Sequence, residues 1–236
     1  MIPVFIPWRH DDYRAKLKAW IQERFWAPLE NNYGFKVIEG SSPAGLFNRS
    51  AALNDAARRA NDIADWDLAV IADADVWVPR PQLMNAVSAA TERGVLTAAY
   101  DAILELTSRG TDALMSSGHL DLIAHGVDGM RTTERPWEVQ SRMLVCPREL
   151  WNIVGGFDEN FVGWGGEDNA FWKAASVARD ATHRVAGPCF HLWHPLESDP
   201  ETRMRDPLWQ KNWERWQQYK RANSLLEIKQ LWGGPT

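Results

Sequence analysis

Four short stretches of this chain hold residue types at spacings that can do chemistry. Asp73-Ala74-Asp75 closes an apolar run, and carboxylates on alternate residues can serve a divalent cation and, through it, a diphosphate. Hard cations such as Mg²⁺ or Mn²⁺ take oxygen ligands, and Mn²⁺ accepts imidazole too. In His191-Leu192-Trp193-His194-Pro195 two imidazoles lie three residues apart. Both can approach one metal, or one can be a ligand and the other structural. The block from Gly155 to Asp168 sets glycines and Trp164 before the adjacent carboxylates Glu167 and Asp168. Glycines allow close backbone approach and positive φ, an indole face stacks on a sugar ring, and a carboxylate can take a proton from a hydroxyl. In Pro7-Trp8-Arg9 a main chain leaving a strand can meet a nucleobase while Arg meets a phosphate. Each has a plain structural alternative: a turn, a hydrogen-bonded core histidine, a helix N-terminus with acidic residues favoured by the macrodipole, or a surface arginine.

The elements that must position these groups follow from periodicity. Residues 2–7 read as a buried strand and 12–26 as an amphipathic helix, with Leu17, Trp20, Ile21 and Phe25 at helical spacing. A strand over 34–39, a helix from about Leu46 to Asn61 and an apolar strand over 67–72 follow. A helix over 81–93 and a strand over 95–100 come next. Residues 101–136 are rich in Gly, Ser and Thr and weakly periodic, as functional or mobile segments are. A strand over 139–146, helices over 148–154 and 167–179, and a last strand over 183–193 complete the body. Trp209, Trp213 and Trp216 recur at helical spacing, so the tail is expected to pack an indole face on that body. Alternating strands and helices imply an α/β layered fold with right-handed crossovers and ligands beyond the carboxyl ends of the strands. No linker divides the chain, so one domain is expected, with 1–100, 101–200 and 201–236 as its successive parts.

Composition narrows the field. The chain has 236 residues, 45% hydrophobic and 24% charged, as a soluble globular protein does. A net charge of −5 argues against gripping a phosphate backbone as the main task. Fourteen Trp suit carbohydrate or interface surfaces. Cys146 and Cys189 lack metal-type spacing and read as reduced core thiols. The apolar start is too short for a signal or an anchor, and no window reaches the ~18 apolar residues of a membrane span, so a cytosolic protein without a membrane span is expected.

Taken in order, the motifs are similar to one family. Ile6-Pro7-Trp8-Arg9 resembles the V/I-P-x-R of the β-1,4-galactosyltransferases, and Leu46-Phe47-Asn48-Arg49-Ser50-Ala51-Ala52-Leu53-Asn54 resembles their F-N-R-A-x-x-L-N. Asp73-Ala74-Asp75 looks like their D-V-D, and Gly163-Trp164-Gly165-Gly166-Glu167-Asp168 matches their G-W-G-G-E-D. His194 falls where they carry a late metal-binding histidine. The W-G-G-E-D block is also similar to polypeptide N-acetylgalactosaminyltransferases and bacterial chondroitin-type polymerases. The resemblance covers about residues 2–200.

It implies a GT-A fold: a single Rossmann-like α/β domain with a mixed, mostly parallel sheet flanked by helices. It implies a transferase for a UDP-sugar donor, using Mn²⁺ (or Mg²⁺). Pro7, Arg9, Phe47 and Arg49 would hold the nucleotide, Asp73 would contact nucleotide or sugar, and Asp75 and His194 would coordinate the metal. His191 stands where the family has a methionine and is a candidate third ligand. Trp164, with Gly165 and Gly166, would line the floor between donor and acceptor, Glu167 would bind sugar hydroxyls, and Asp168 would be the catalytic base. Asp rather than Asn at that last position favours inversion at the transferred sugar. Asn169-Ala170-Phe171 stands where the family continues with acidic residues, so the acceptor is left open between glycan and protein. Animal members are membrane-anchored and disulfide-bearing, so the chain looks like a bacterial or phage relative.

Competing classes are a nucleotidyltransferase, which would not need the W-G-G-E-D block, and a carbohydrate-binding module, which would need neither metal ligands nor Asp168. A transferase acting on modified phage DNA bases is a further variant, with Arg131, Arg135, Arg142, Arg203 and Arg205 as its basic patch.

Overall fold

The computed structural model describes residues 1–120, 130–133, 142–195, 202 and 204–232, with side chains described outside 130–133. The run after Ile2 has no polar face, so β1 (Ile2–Pro7) must be covered on both sides, and it is buried almost throughout. β2 (Phe35–Gly40) and β3 (Leu68–Ala72) flank it in parallel, with Val4 opposite both Val37 and Val70. β8 (Met143–Pro147) runs antiparallel to β3 and pairs Met143 with Ala72. β5 (Thr97–Ala98) and β9 (His183–Arg184) complete a six-stranded sheet of order β2-β1-β3-β8-β5-β9, in which only β8 points the other way. A second sheet has the order β4 (Val76–Trp77), β10 (Pro188–His191), β6 (Ala102–Leu106), β7 (Met130–Thr133).

The first helical stretch runs further than its periodicity predicts. α1 (Asp12–Ile21) is capped by Asp11, whose carboxylate accepts from the Arg14 N–H at 2.7 Å. It passes through a π turn (Gln22–Trp26) into α2 (Ala27–Tyr33). Leu17, Ile21, Phe25 and Leu29 are all buried, and a strict four-residue spacing drifts about 40° per repeat around an α-helix. The wider π turn takes up that drift and keeps the apolar side on the core. α3 (Arg49–Ile63) starts at Arg49 rather than Leu46, because the Asn48 side chain accepts from the Ala51 N–H at 2.9 Å and caps it there. α4 (Arg80–Arg93), α6 (Arg148–Val154) and α7 (Glu167–Arg179) lie close to their expected places.

Two expectations need correction. Residues 101–136 are not irregular throughout: they contain β6, α5 (Ser108–Ser117) and β7. α5 buries only Gly110, Thr111 and Leu114, and β6 is partly covered, so neither writes a strong apolar period. The run 183–193 is also not one strand. At Gly187, φ is +126° and a Cβ would lie 2.1 Å from Gln82 Oε1. The chain turns there, leaves β9 in the first sheet and enters β10 in the second.

The buried cluster extends from Val4 to Ile228 and includes Tyr219. The tail, α8 (Pro207–Arg221) and α9 (Leu225–Leu231), therefore shares the core of the body. Cys146 and Cys189 are buried free thiols. Among the described residues, no helix is long and apolar enough to cross a membrane.

Candidate functional site

The two aspartates after β3 part company. Asp73 meets two guanidinium groups: Arg49 donates to its Oδ1 from Nη2 at 2.7 Å, and Arg142 donates to Oδ2 from Nη1 at 3.3 Å. Asp75 is buried and faces imidazoles instead. Nε2 of His191 lies 3.6 Å from its Oδ1 and Nε2 of His194 lies 3.5 Å from its Oδ2. One donor atom from each of Asp75, His191 and His194 falls within 4.8 Å of the others. These separations are long for hydrogen bonds. They suit three ligands around one ion with bonds of about 2.0–2.2 Å.

Backbone pairing builds this cluster. His191 pairs with Val76 across the β10–β4 ladder, and the Leu192 N–H donates to the Asp75 carbonyl at 3.0 Å. The Trp193 N–H donates to Thr111 Oγ1 at 2.8 Å, so α5 fixes the turn between the histidines. His194 Nδ1 lies 3.0 Å from the Pro195 carbonyl and 3.3 Å from Arg14 Nη2. In the tautomer with the proton on Nδ1, that nitrogen donates to Pro195 and leaves the Nε2 lone pair facing Asp75, the orientation a metal ligand needs. Burial would push the Asp75 carboxyl up, but His191, His194 and Arg142 outweigh it and hold it well below the usual carboxylate range. Burial pushes the His194 imidazole below its ordinary value against the pull of Asp75, so it favours the neutral, ligating form.

Arg142, named in the sequence only among scattered arginines, stands in this site: it is partly buried and is the residue before β8, where antiparallel pairing lays the start of β8 beside the end of β3. The Asp73 N–H donates to the Arg142 carbonyl at 3.1 Å, and Arg142 Nη1 reaches 3.5 Å from His191 Nε2. A cation opening a fully apolar run, Met143-Leu144-Val145-Cys146, was the available signal. Arg205 is exposed, while the side chains of Arg131, Arg135 and Arg203 lie outside the described residues.

The glycine-rich block is tied to the start of α3. Phe47 accepts from the Gly163 N–H at 3.0 Å within an isolated Asn48–Gly163 bridge, and Asn48 Nδ2 donates to the Glu159 carbonyl at 2.7 Å. Asn54 exchanges two hydrogen bonds with the Phe157 backbone, at 2.8 and 2.9 Å. Arg49 is thereby held between Asp73 and Glu167, whose Oε1 lies 3.7 Å from its Nη1. Burial and the neighbouring Asp168 push the Glu167 carboxyl well up, with Arg49 opposing. Its Oε2 is buried without a hydrogen-bond partner, and such an atom calls for a ligand hydroxyl or water. Asp168 follows at the first turn of α7 and is partly exposed. Trp164 is 58% exposed. At the outer rim, Pro7 is buried at the end of β1 and the Arg9 guanidinium sits 5.4 Å from the centre of the Phe47 ring.

The structure therefore brings Arg49, Asp73, Asp75, Glu167, His191 and His194 together and adds Arg142. It places Arg9 beside Phe47, with Pro7 at the end of β1, and Trp164, Gly165, Gly166 and Asp168 on the loop and helix that carry Glu167. The tail holds that loop through polar groups more than through its indoles: Asn212 Nδ2 donates to the carbonyls of Val162 and Trp164 at 2.9 and 3.2 Å. No periodicity argument singles out an Asn within a Trp-rich helix.

A family model described as the N-terminal domain of galactosyltransferase matches residues 124–194. A comparison with curated proteins finds no match. Among solved structures, the catalytic domain of Drosophila β1,4-galactosyltransferase 7 with xylobiose aligns at TM-score 0.50 and 16% identity, over 95% of this chain and 82% of that one. GalNAc-T7 with UDP, GalNAc and Mn²⁺ aligns at TM-score 0.52 and 11% identity, over 93% and 50%. The mannosyltransferase PcManGT from Pyrobaculum calidifontis with GDP-Man and Mn²⁺ aligns at TM-score 0.50 and 16% identity, over 98% and 73%. The chain spans 65% of a further galactosyltransferase 7 chain from Drosophila. These likenesses establish the fold: a mixed α/β GT-A architecture with a mostly parallel central sheet and flanking helices.

Proposed function

We propose that this chain is a single-domain, metal-dependent glycosyltransferase that moves a sugar from a UDP-sugar to an acceptor hydroxyl on a glycan or protein, with inversion. The observation that carries the reading is the convergence of Asp75, His191 and His194, joined to the Glu167–Asp168 pair through Arg142, Asp73 and Arg49. The oxygen and imidazole donor set fits Mn²⁺, and GalNAc-T7 and PcManGT are complexes with that ion. When bound, the ion supplies Lewis-acid stabilisation of the leaving diphosphate.

The protein's own groups do the rest. Pro7, Arg9 and Phe47 hold the nucleotide at the rim. Asp73, fixed by Arg49 and Arg142, meets the donor ribose or sugar. Arg142 lies close enough to the metal ligands to add positive charge where the diphosphate departs. Glu167 takes a sugar hydroxyl on its unpartnered oxygen, and Trp164 offers its ring between donor and acceptor. Asp168 accepts the acceptor's hydroxyl proton as that oxygen bonds to the anomeric carbon. The bond from that carbon to the diphosphate oxygen breaks on the opposite face, and UDP departs with the electron pair.

A thermal-shift panel of UDP-glucose, UDP-galactose, their N-acetyl forms, GDP-mannose and ATP, each with and without Mn²⁺, tests this. Stabilisation by one UDP-sugar only with Mn²⁺ is expected through binding linkage; no shift with any nucleotide sugar sinks the reading. Asp168→Asn should keep that shift and lose transfer by roughly 10²-fold or more, and normal transfer would remove Asp168 as the base.

A further inference from the structure

Beside the site stand aromatic side chains that the proposed reaction does not use. Trp209 and Trp213, one helical turn apart on α8, lie parallel, with centroids 5.6 Å apart and planes 8° apart. The rings are therefore offset-stacked and cover each other only in part. Trp213 is 47% exposed and Trp209 partly so. A core helix would have turned these rings inward; here the buried residues of α8 are Asn212 and Tyr219.

The pair is continuous with the catalytic loop. A methyl group at Gly165 would lie 3.5 Å from Trp209 Nε1, so Trp209 packs over the residue after Trp164. Asn212, between the two tryptophans, donates to the Trp164 carbonyl. The flank is polar, with Gln210 exposed at i, i+3 spacing from Trp213. Flat faces beside a polar flank suit sugar rings, which offer C–H groups on their faces and hydroxyls at their edges. Continuity with the loop of Trp164, which the proposed reaction sets between donor and acceptor, favours a saccharide over a protein partner.

We propose that Trp209 and Trp213 form an extended acceptor subsite that continues from Trp164 and binds further sugar units of an oligosaccharide acceptor. This rests on the glycosyltransferase reading and adds to it that the acceptor is a saccharide chain, not a single sugar or a protein side chain. The terminal unit lies at Trp164, and units behind it lie along α8.

The test measures dissociation constants by calorimetry, with UDP and Mn²⁺ present, for cello-, xylo- and chito-oligosaccharides of one to four units. In the unaltered protein at least one series should gain about tenfold in affinity from one unit to four, the scale of an added aromatic contact. Trp213→Ala should abolish that gain and Trp213→Phe should keep most of it. Equal affinity across lengths, no binding in any series, or a full gain in Trp213→Ala overturns the subsite. Mn²⁺-dependent stabilisation by a UDP-sugar, read on the same samples, separates the two ideas. Intact stabilisation with length-independent binding overturns only the subsite. Lost stabilisation with a Trp213-dependent gain keeps the subsite and sinks the transferase.

Discussion

Two buried aspartates, Asp75 and Asp158, are each surrounded by polar partners, and they differ in how tightly. Asp158 is saturated. Arg215 Nε and the Tyr219 hydroxyl donate to its Oδ2 at 2.6 and 2.8 Å, and the Asn160 N–H and Nδ2 donate to Oδ1 at 3.0 and 2.8 Å. Every contact has ordinary hydrogen-bond length, and together they fasten the tail to the glycine-rich block. Asp75 has two imidazole nitrogens at 3.5–3.6 Å, spread around a point rather than closed upon the carboxylate. The tight cluster stabilises the fold, whereas the open one leaves room for a ligand.

Substitutions can break this contrast. The largest effect is expected for Asp158→Ala, which leaves the half-buried Arg215 and the buried Tyr219 hydroxyl without their carboxylate. It should cost about 3–5 kcal/mol of stability, seen by chemical denaturation, with Mn²⁺ affinity of the folded protein unchanged. Asp75→Ala should do the reverse. Losing an outer partner of a metal site already costs about 10–100-fold, so Mn²⁺ affinity by calorimetry should fall roughly 100-fold or more, with a smaller loss of stability than in Asp158→Ala. If Asp75→Ala unfolds the protein while Asp158→Ala weakens the metal, the assignment is inverted. Tyr219→Phe removes one hydrogen bond to a charged group and should cost about 1.5–2 kcal/mol, with Asp158 still paired to Arg215. The smallest change sharpens the open site: Arg142→Gln removes a like charge beside His191. Bare Mn²⁺ should then bind roughly threefold tighter, while UDP with Mn²⁺ binds more weakly.

The open site was easier to read in the sequence than the closed one. Asp73, Asp75, His191 and His194 are compact local patterns at the ends of apolar runs, and they meet because the end of β10 pairs with β4, directly after Asp75. Asp158 lies in a visible Gly-Phe-Asp-Glu-Asn turn, but its partners Arg215 and Tyr219 come from a helix whose tryptophans dominate any pattern search. Arg142 was visible only as a cation among scattered arginines, because the antiparallel entry of β8 has no mark in the local sequence. The split of 183–193 was hidden in the same way: Gly187 announces a turn, not a change of sheet. Strands and helices of the first hundred residues were legible because their burial is one-sided or complete. β6 and α5 were not, since the large apolar residues they bury are few, Ile103 and Leu106 in β6 and Leu114 in α5, too few to write a period.

The grip of Asn212 on the loop carbonyls also sets a schedule during synthesis. Roughly 140 residues separate Asp75 from Asn212, which at about 5–20 residues per second is about 7–28 s of ribosome time. Through that interval the strand end carrying Asp75 exists, but the loop bearing Trp164 lacks its fastening. A nascent chain halted before α8 should have no working site, and competence should arrive late and all at once, as the tail emerges.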